Sequence, residues 1–207
     1  MLGLIQDGGW AMYPLIVLLV LGIAIAIERG YNLTRAAIDA EAFFNDLEGA
    51  LKSGGPEQAA ELCARTRGPV ASVIHAGLLR IHRGIDHVEK AIDNAGAVEM
   101  AFLERGMVWL STIANLAPMI GFLGTVSGMI NAFQAIKDAG DVDPSMVAGG
   151  ISEALITTAS GLVVGIIIQF GHNFFATRID RIIADMTEHG AGFIDILAER
   201  ELAQEKG

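Results

Sequence analysis

The chain has 207 residues, 52% of them apolar, with a formal net charge of −10 and a single cysteine. That acidic balance argues against nucleic-acid binding, and one cysteine excludes both an intrachain disulfide and a multi-cysteine metal site. A soluble domain of this size rarely holds charge-free stretches as long as the three found here.

The first stretch, Gly8 to Ile27, is 20 residues without Asp, Glu, Lys or Arg. A helix crossing a bilayer core needs roughly 20 mostly apolar residues. Only Asp7 stands close before it, so there is no basic leader region, and no clear small-x-small cleavage site precedes Glu28. The stretch therefore reads as a retained span and not a signal peptide. Trp10, Tyr13 and Pro14 mark its outer end, since aromatic rings favour the headgroup level; Glu28, Arg29 and Tyr31 mark its inner end. The expected division is a periplasmic stub at 1–9 and a first transmembrane helix at 10–27.

Residues 28–106 read as a helical loop. Ala36–Lys52 forms one helix, ended by Ser53-Gly54-Gly55-Pro56, and Glu57–Arg65 a second, stopped near Gly68-Pro69. A third runs from about Val70 to Arg83. Asp86 with Glu89 three positions on fits an acidic capping box. Nothing in the residues breaks that helix before Pro118, so it is expected to run about 48 Å straight into the second span. Cys63 reads as a small buried side chain, and His75, His82 and His87 as solvated loop residues.

The second stretch, between Arg105 and Lys137, holds 31 residues without charge. A span at 107–136 follows, with Asn115, Thr125, Ser127 and Asn131 among its few polar side chains. Gly121, Thr125, Gly128 and Ala132 share one face, and Gly124 pairs with Gly128 as GxxxG on an adjoining one. Small faces let membrane helices approach closely. Pro118 removes a backbone hydrogen bond, which favours a kink or a hydrated point. A periplasmic link at 137–145 carries Lys137, Asp138, Asp141 and Asp143.

The third stretch runs from Ala154 to Thr177, inside a span expected at 146–176. Thr158, Gly161, Gly165, Gln169 and His172 form a small-to-polar stripe, with Glu153 and Thr157 on a neighbouring line. An ionisable group such as Glu153 is expensive at membrane depth, so it marks either function or the outer interface. Each threonine has a bland alternative, a bond to its own i−4 carbonyl. After Arg178, the positions Ile179, Ile182, Met186, Phe193 and Leu197 keep near-helical spacing, which extends the third helix into 177–207; Gly190 and Gly192 weaken the pattern.

Thirteen of the fourteen basic residues fall in 28–106 and 177–207. The positive-inside rule then places the N-terminus in the periplasm, the large loop and the C-terminus in the cytoplasm, and the link outside. Each cytoplasmic segment nets −3, so neither offers a polybasic surface to anionic lipid. The expected fold class is an all-α membrane protein of three transmembrane helices, two of them extended into a cytoplasmic helical domain. No nucleophile–base pair, P-loop or dinucleotide fingerprint appears, so no enzyme, metal site or cofactor is expected. Gly121–Thr125 is glycine-rich, but a phosphate loop cannot sit inside a membrane run.

The segment Ala117-Pro118-Met119-Ile120-Gly121-Phe122-Leu123-Gly124-Thr125-Val126-Ser127-Gly128-Met129-Ile130 resembles the second-helix signature of the MotA/TolQ/ExbB proton-channel family. Gly150-Ile151-Ser152-Glu153-Ala154-Leu155-Ile156-Thr157-Thr158-Ala159-Ser160-Gly161-Leu162 resembles its third-helix signature, and Glu28-Arg29 after the first span also fits. Three spans, not four, favour the ExbB/TolQ branch. The resemblance implies a multi-pass subunit of the bacterial inner membrane that forms a pentameric ring around a single-span partner of the ExbD or TolR type. It implies that a membrane Asp of the partner carries the proton, the coupling ion, past ring threonines matching Thr125 and Thr158. It also implies a polar lumenal role for Glu153, with Pro118 and the glycines packing the helices and lining the lumen. Motion would pass to a TonB-like or TolA-like effector. Two positions depart from the family's pattern: Ile167 stands where Pro is frequent, and His172 where Tyr is.

The primary expectation is an ExbB-like subunit energising TonB-dependent transport. The alternatives are a TolQ-like subunit in envelope maintenance, a gliding-type motor subunit of the same family, and, from another class, a membrane scaffold without ion flux. An independent transporter lacks support, because there is no inverted repeat and no intramembrane charge pair.

Overall fold

The computed structural model describes residues 7–36, 38–139 and 144–205. The N-terminal residues 1–6, the centre of the link with Asp141 and Asp143, and Lys206 lie outside them. The described residues form helices joined by short turns: α1 Met12–Ala36, α2 Ala40–Arg65, α3 Pro69–Leu78, a 3₁₀ turn Ile81–Arg83, α4 Ile85–Glu104, α5 Met107–Ala139 and α6 Pro144–Glu205. The charge-free stretches lie in α1, α5 and α6, and each is long and apolar enough to cross a membrane. The chain is an all-helical membrane protein with three such helices.

Two compact units emerge. One gathers the described residues up to Arg29 with Gly106–Phe174; the other gathers Gly30–Arg105 with the described residues from Phe175 on. The apolar unit is a bundle of three helices. Ala11 just before α1, Met12 and Leu15 of α1, Leu110, Ile113, Ala114, Ala117 and Ala132 of α5, and Ala154, Thr157, Val164 and Ile168 of α6 are buried. Around this core the outward faces are apolar as well: Val17, Val20, Phe122, Ile130, Phe133, Leu155, Ile166 and Phe170 are all exposed. Water penalises such a surface and lipid does not, because lipid tails are as apolar as the side chains.

The charged unit is built in water-soluble style, one apolar stripe per helix. Phe43, Leu47 and Leu51 of α2 are buried with Val70, Val73 and Ile74 of α3, Val88 and Ile92 of α4, and Ile179, Ile182, Met186, Phe193 and Leu197 of α6. The near-helical spacing of those five α6 positions is thus the spacing of a buried face. Gly190 and Gly192 do not interrupt the helix. A β-carbon at Gly190 would stand 3.2 Å from Ile92, and one at Gly192 3.2 Å from the Phe44 ring, so both make room for neighbours. The Phe44 ring packs at 4.9 Å from that of His189, and Arg200 donates to the Leu51 carbonyl at 2.6 Å.

Local sequence explains the helix ends, with four differences from expectation, one being that the helix expected from about Val70 to Arg83 is α3, Pro69–Leu78, followed by the separate 3₁₀ turn Ile81–Arg83. The first loop helix begins at Ala40, not Ala36, because Asp39 caps it by accepting the Ala42 N–H at 3.0 Å. Helical geometry breaks at Gly55, with φ 73° and ψ −164°, a conformation open to glycine and followed by Pro56. The acidic capping box at Asp86 does not form. Gly84 is the N-cap of α4, with no side-chain bond, which places Asp86 inside the first turn, where its charge favours the helix dipole. The expected unbroken helix from Asp86 to Pro118 is overturned: α4 ends at Glu104, Arg105 is extended and Gly106 takes φ 87°. Glycine alone adopts that backbone without strain, and apolar periodicity carries no trace of it. Pro118 lies within α5, and α6 is helical through Ile167.

Candidate functional site

Helices α5 and α6 meet along a seam of small residues. A β-carbon added at Gly121 would sit 2.9 Å from the Thr157 carbonyl oxygen and 3.1 Å from the Gly161 Cα. One at Gly128 would lie 3.0 Å from the Gly150 carbonyl oxygen, and one at Gly165 would lie 3.0 Å from that of Ala114 and 2.7 Å from Pro118 Cγ. Backbones this close gain dispersion contacts along their length and leave no room for water. Gly124 faces elsewhere, toward the Thr157 side chain at 2.7 Å and Ala11, just before α1, at 3.0 Å. The GxxxG pair therefore splits, with Gly128 in the α5–α6 seam and Gly124 at the junction of all three helices.

Within the seam the Thr125 and Thr158 hydroxyls hydrogen-bond each other. Thr125 Oγ1 also has the Ala154 carbonyl at 3.0 Å and the Gly121 carbonyl at 3.4 Å; Thr158 Oγ1 has the Gly121 carbonyl at 3.4 Å. Two hydroxyls carry two protons. In one arrangement Thr158 donates to Thr125 and Thr125 donates to Ala154. In the other Thr125 donates to Thr158 and Thr158 donates to Gly121. The pair thus has two complete donor patterns related by hydroxyl rotation. Both residues are half-buried, so one side of the pair remains open.

Thr157, the neighbour of Thr158, is fully buried and serves its own helix, donating to the Glu153 and Ala154 carbonyls at 3.0 Å each. Glu153 is half-buried and lies against the other side of α6, where a β-carbon on Gly9 would come within 3.3 Å of its Cγ. Thr125 and Thr158 are therefore brought together, while Glu153 faces the entry to α1. At that same end the Trp10 indole N–H donates to Ser127 Oγ at 3.1 Å, tying the start of α1 to α5. Further along α6, Gln169 donates to Asn173 at 2.8 Å and His172 is half-buried beside it. At the other end of α1, Arg29 is 5% exposed, 3.5 Å from the exposed Glu28 carboxylate. A β-carbon at Gly106 would stand 3.4 Å from its Nε.

Sequence reasoning passed over Gly150, Gly9 and the burial of Thr157. Gly150 and Ala154 had a usable signal, small residues four apart at the start of the third run. Gly9 had none, because its partner is 144 positions away.

The bundle, its lipid-compatible surface and a hydroxyl pair between the charge-free stretches of two helices define a multi-pass membrane protein with polar groups set at membrane depth. The chain belongs to the MotA/TolQ/ExbB proton channel family, matched over residues 65–188, and to its ExbB/TolQ branch. It is 30% identical over 205 residues to a protein of Methanothermobacter thermautotrophicus named as an ExbB homolog, an alignment covering 96% of this chain and 73% of that one. It is 39% identical over 99 residues to the biopolymer transport protein ExbB of Xanthomonas campestris, covering 48% of this chain and 39% of the relative. Over 96 residues it is 38% identical to the Tol-Pal system protein TolQ of Haemophilus influenzae, covering 46% of this chain and 42% of the relative. It is a proton-channel subunit of the ExbB/TolQ type, and that family works with ExbD/TolR-type partners.

Proposed function

We propose that this chain is the ring subunit of an inner-membrane motor driven by the proton-motive force, with Thr125 and Thr158 lining the proton path. The observation that carries this reading is the Thr125–Thr158 hydroxyl pair, half-open, with two complete donor patterns and, among the described residues, no carboxylate in its hydrogen bonds. A hydroxyl pair relays hydrogen bonds but does not hold an excess proton at neutral pH. A titrating group must therefore come from a partner, and a single-span ExbD/TolR-type helix with a membrane Asp fits that need. One charge crossing the membrane releases about 2.3 kcal/mol per 100 mV, enough to bias a two-state element more than tenfold.

In this reading five copies surround the partner, the N-terminus and the 137–145 link are periplasmic, and 28–106 and 177–207 are cytoplasmic. Spans occupy 10–27, 107–136 and 146–176. Glu153 sits at the level of the outer end of the path with its carboxylate toward Gly9, and Gly121, Gly124, Gly128, Gly161, Gly165 and Pro118 hold the helices that line the path. Glu28 and Arg29 anchor the cytoplasmic end of the first span. The work delivered is ExbB-like, to a TonB-like effector in TonB-dependent transport. A TolQ-like role through a TolA-like effector is the alternative within the branch. The ring neither needs nor holds a cofactor beyond the proton, and it catalyses no covalent step.

The test is proton uptake by proteoliposomes holding the chain with its partner. Thr125→Val and Thr158→Val keep the shape of the side chains and remove both hydroxyls; the pair should lose at least about tenfold of the proton flux, and Thr→Ser at both should restore it. The backbone-close glycine seam favours one rival, a scaffold without flux. That rival predicts silent Thr→Val variants and disruption from Gly161→Val alone. Wild-type flux in the double Val variant removes the path from these residues.

A further inference from the structure

The charged unit holds an open cleft of about 580 Å³ where the end of α1, the α2–α3 turn and α4 come together. Two arginines line it, Arg35 from α1 and Arg67 from the turn, with Ser72 and His75 of α3 and, as the single carboxylate of the lining among the described residues, Glu99 of α4. The ion pairs of the described residues leave both arginines without a carboxylate partner. Arg35 instead stacks 4.5 Å from the centre of the Tyr31 ring. Helix α3 starts at this wall with Gly68 as N-cap and no side chain on its first amides. Phe102, 58% exposed, forms an apolar part of the lining.

Two arginines outside any ion pair, against one carboxylate, are unexpected in one cleft of a chain of net charge −10. The residues stand 32 positions apart in a segment that nets −3, so no basic run announces them. Their chemistry is specific. Arginine presents a fixed fork of donors that matches phosphate oxygens, a serine hydroxyl and an imidazole add donors, and an uncapped helix N-terminus adds partial positive charge. Arg35 lies eight residues beyond Ile27, the last residue of the charge-free stretch, on the same helix. That is about 12 Å of helix, beyond a headgroup layer of about 5–8 Å on each side, but the Arg35 side chain folds back over Tyr31, one turn nearer the charge-free stretch, and so reaches toward that layer. The exposed Phe102 ring of the lining suits a ligand with an apolar part behind its phosphate.

We propose that this cleft binds a phosphate-bearing anion, supplied as the headgroup of an anionic phospholipid. The site is separate from the Thr125–Thr158 pair and does not depend on proton conduction. The test uses the full-length chain purified in detergent, with native mass spectrometry reading bound dioleoyl phosphatidylglycerol, dioleoyl phosphatidylcholine and inorganic phosphate. Phosphatidylglycerol should be retained in preference to phosphatidylcholine. Arg35→Ala with Arg67→Ala should weaken that retention about thirtyfold, from roughly fivefold for each arginine beside an anionic headgroup. Arg→Lys at both should keep much of it. Inorganic phosphate binding that the same Ala pair abolishes, with no preference among lipids, supports the phosphate site and makes the soluble anion its source. Equal phosphatidylglycerol retention by wild type and the Ala pair, with no phosphate binding sensitive to them, overturns the proposal. A photoactivatable phosphatidylglycerol reads the unmodified chain directly: crosslinks at 67–75 or Phe102 support the site, and crosslinks confined to the charge-free helices overturn it.

Discussion

Gly161 of α6 meets Gly121 of α5 backbone to backbone: a β-carbon added at Gly161 would sit 2.9 Å from the Gly121 Cα and 2.6 Å from the Ala117 carbonyl oxygen. No side chain is there to yield, so any substituent must push the helices apart. Gly161→Ala should destabilise the bundle by about 1–3 kcal/mol, the usual cost of overpacking. Gly49→Ala is the matched control, since nothing lies within 4 Å of that β-carbon and alanine suits a helix interior better. Thermal unfolding of the two variants in the same detergent measures the difference. Equal melting temperatures would mean that the seam is looser than the contacts say.

Thr157 and Thr158 are neighbours with opposite duties. Thr157 is fully buried and satisfies its hydroxyl on its own helix, while a β-carbon at Gly124 would find its Oγ1 at 2.7 Å. Thr157→Val keeps the volume and removes a bond that competes little with the helix, so stability should change by about 1 kcal/mol or less. Thr157→Leu should cost about 1–3 kcal/mol through overpacking against Gly124. Chemical unfolding separates them; a larger loss for Val than for Leu would assign Thr157 a polar role instead of a packing one.

Gly106 holds φ 87° with the Arg29 Nε 3.4 Å from where its β-carbon would be. Gly106→Ala forces a side chain into that left-handed turn and against a buried cation. A loss of about 1–3 kcal/mol is expected. Its companion Gly96→Ala, with only Met186 Cε at 3.9 Å, should be near neutral or slightly stabilising. Melting temperatures of both check this, and hydrogen exchange around 104–108 should rise only in the Gly106 variant.

Burial pushes the Cys63 thiol up to about 12, from an ordinary value of 9.0. The side chain is 3% exposed. A raised thiol favours the neutral form in the folded state. Its contribution to stability is full below pH 9.0 and is lost as pH rises toward about 12. Maleimide labelling should therefore be negligible at pH 7.5 in the folded protein and complete on unfolding, since the thiolate is the reactive form. Rapid labelling of the folded chain would show that this part of the charged unit opens. Cys63→Ala should leave the high-pH loss of stability smaller than in the wild type.

Much of the architecture was legible in the residues. Three charge-free stretches announce three membrane helices, because a charge at mid-membrane is too costly to hide and its absence over 20 residues or more is conspicuous. The stripes Gly121–Thr125–Gly128 and Thr158–Gly161–Gly165 could be drawn from a 3.6-residue period alone, and so could the apolar face of α6 from Ile179 to Leu197. The two signature segments also carried the family.

What only the tertiary structure decided are relations between positions far apart in the chain. The sequence places Thr125 and Thr158 each on a small face, but not against each other, since that depends on how two helices are set in register. It places Glu153 toward the outer end on a line neighbouring Thr158, but not against any partner, and α6 turns that carboxylate toward Gly9. It predicts a single helix through 86–118, and a left-handed glycine at 106 divides it, because φ is a backbone property that side-chain periodicity does not record. Arg35 and Arg67 look like isolated charges in an acidic segment until α1 and the α2–α3 turn bring them to one cleft. Local period and polarity are written along the chain; register, helix rotation and the sign of a glycine's φ are settled only when the packed helices compete for the same space.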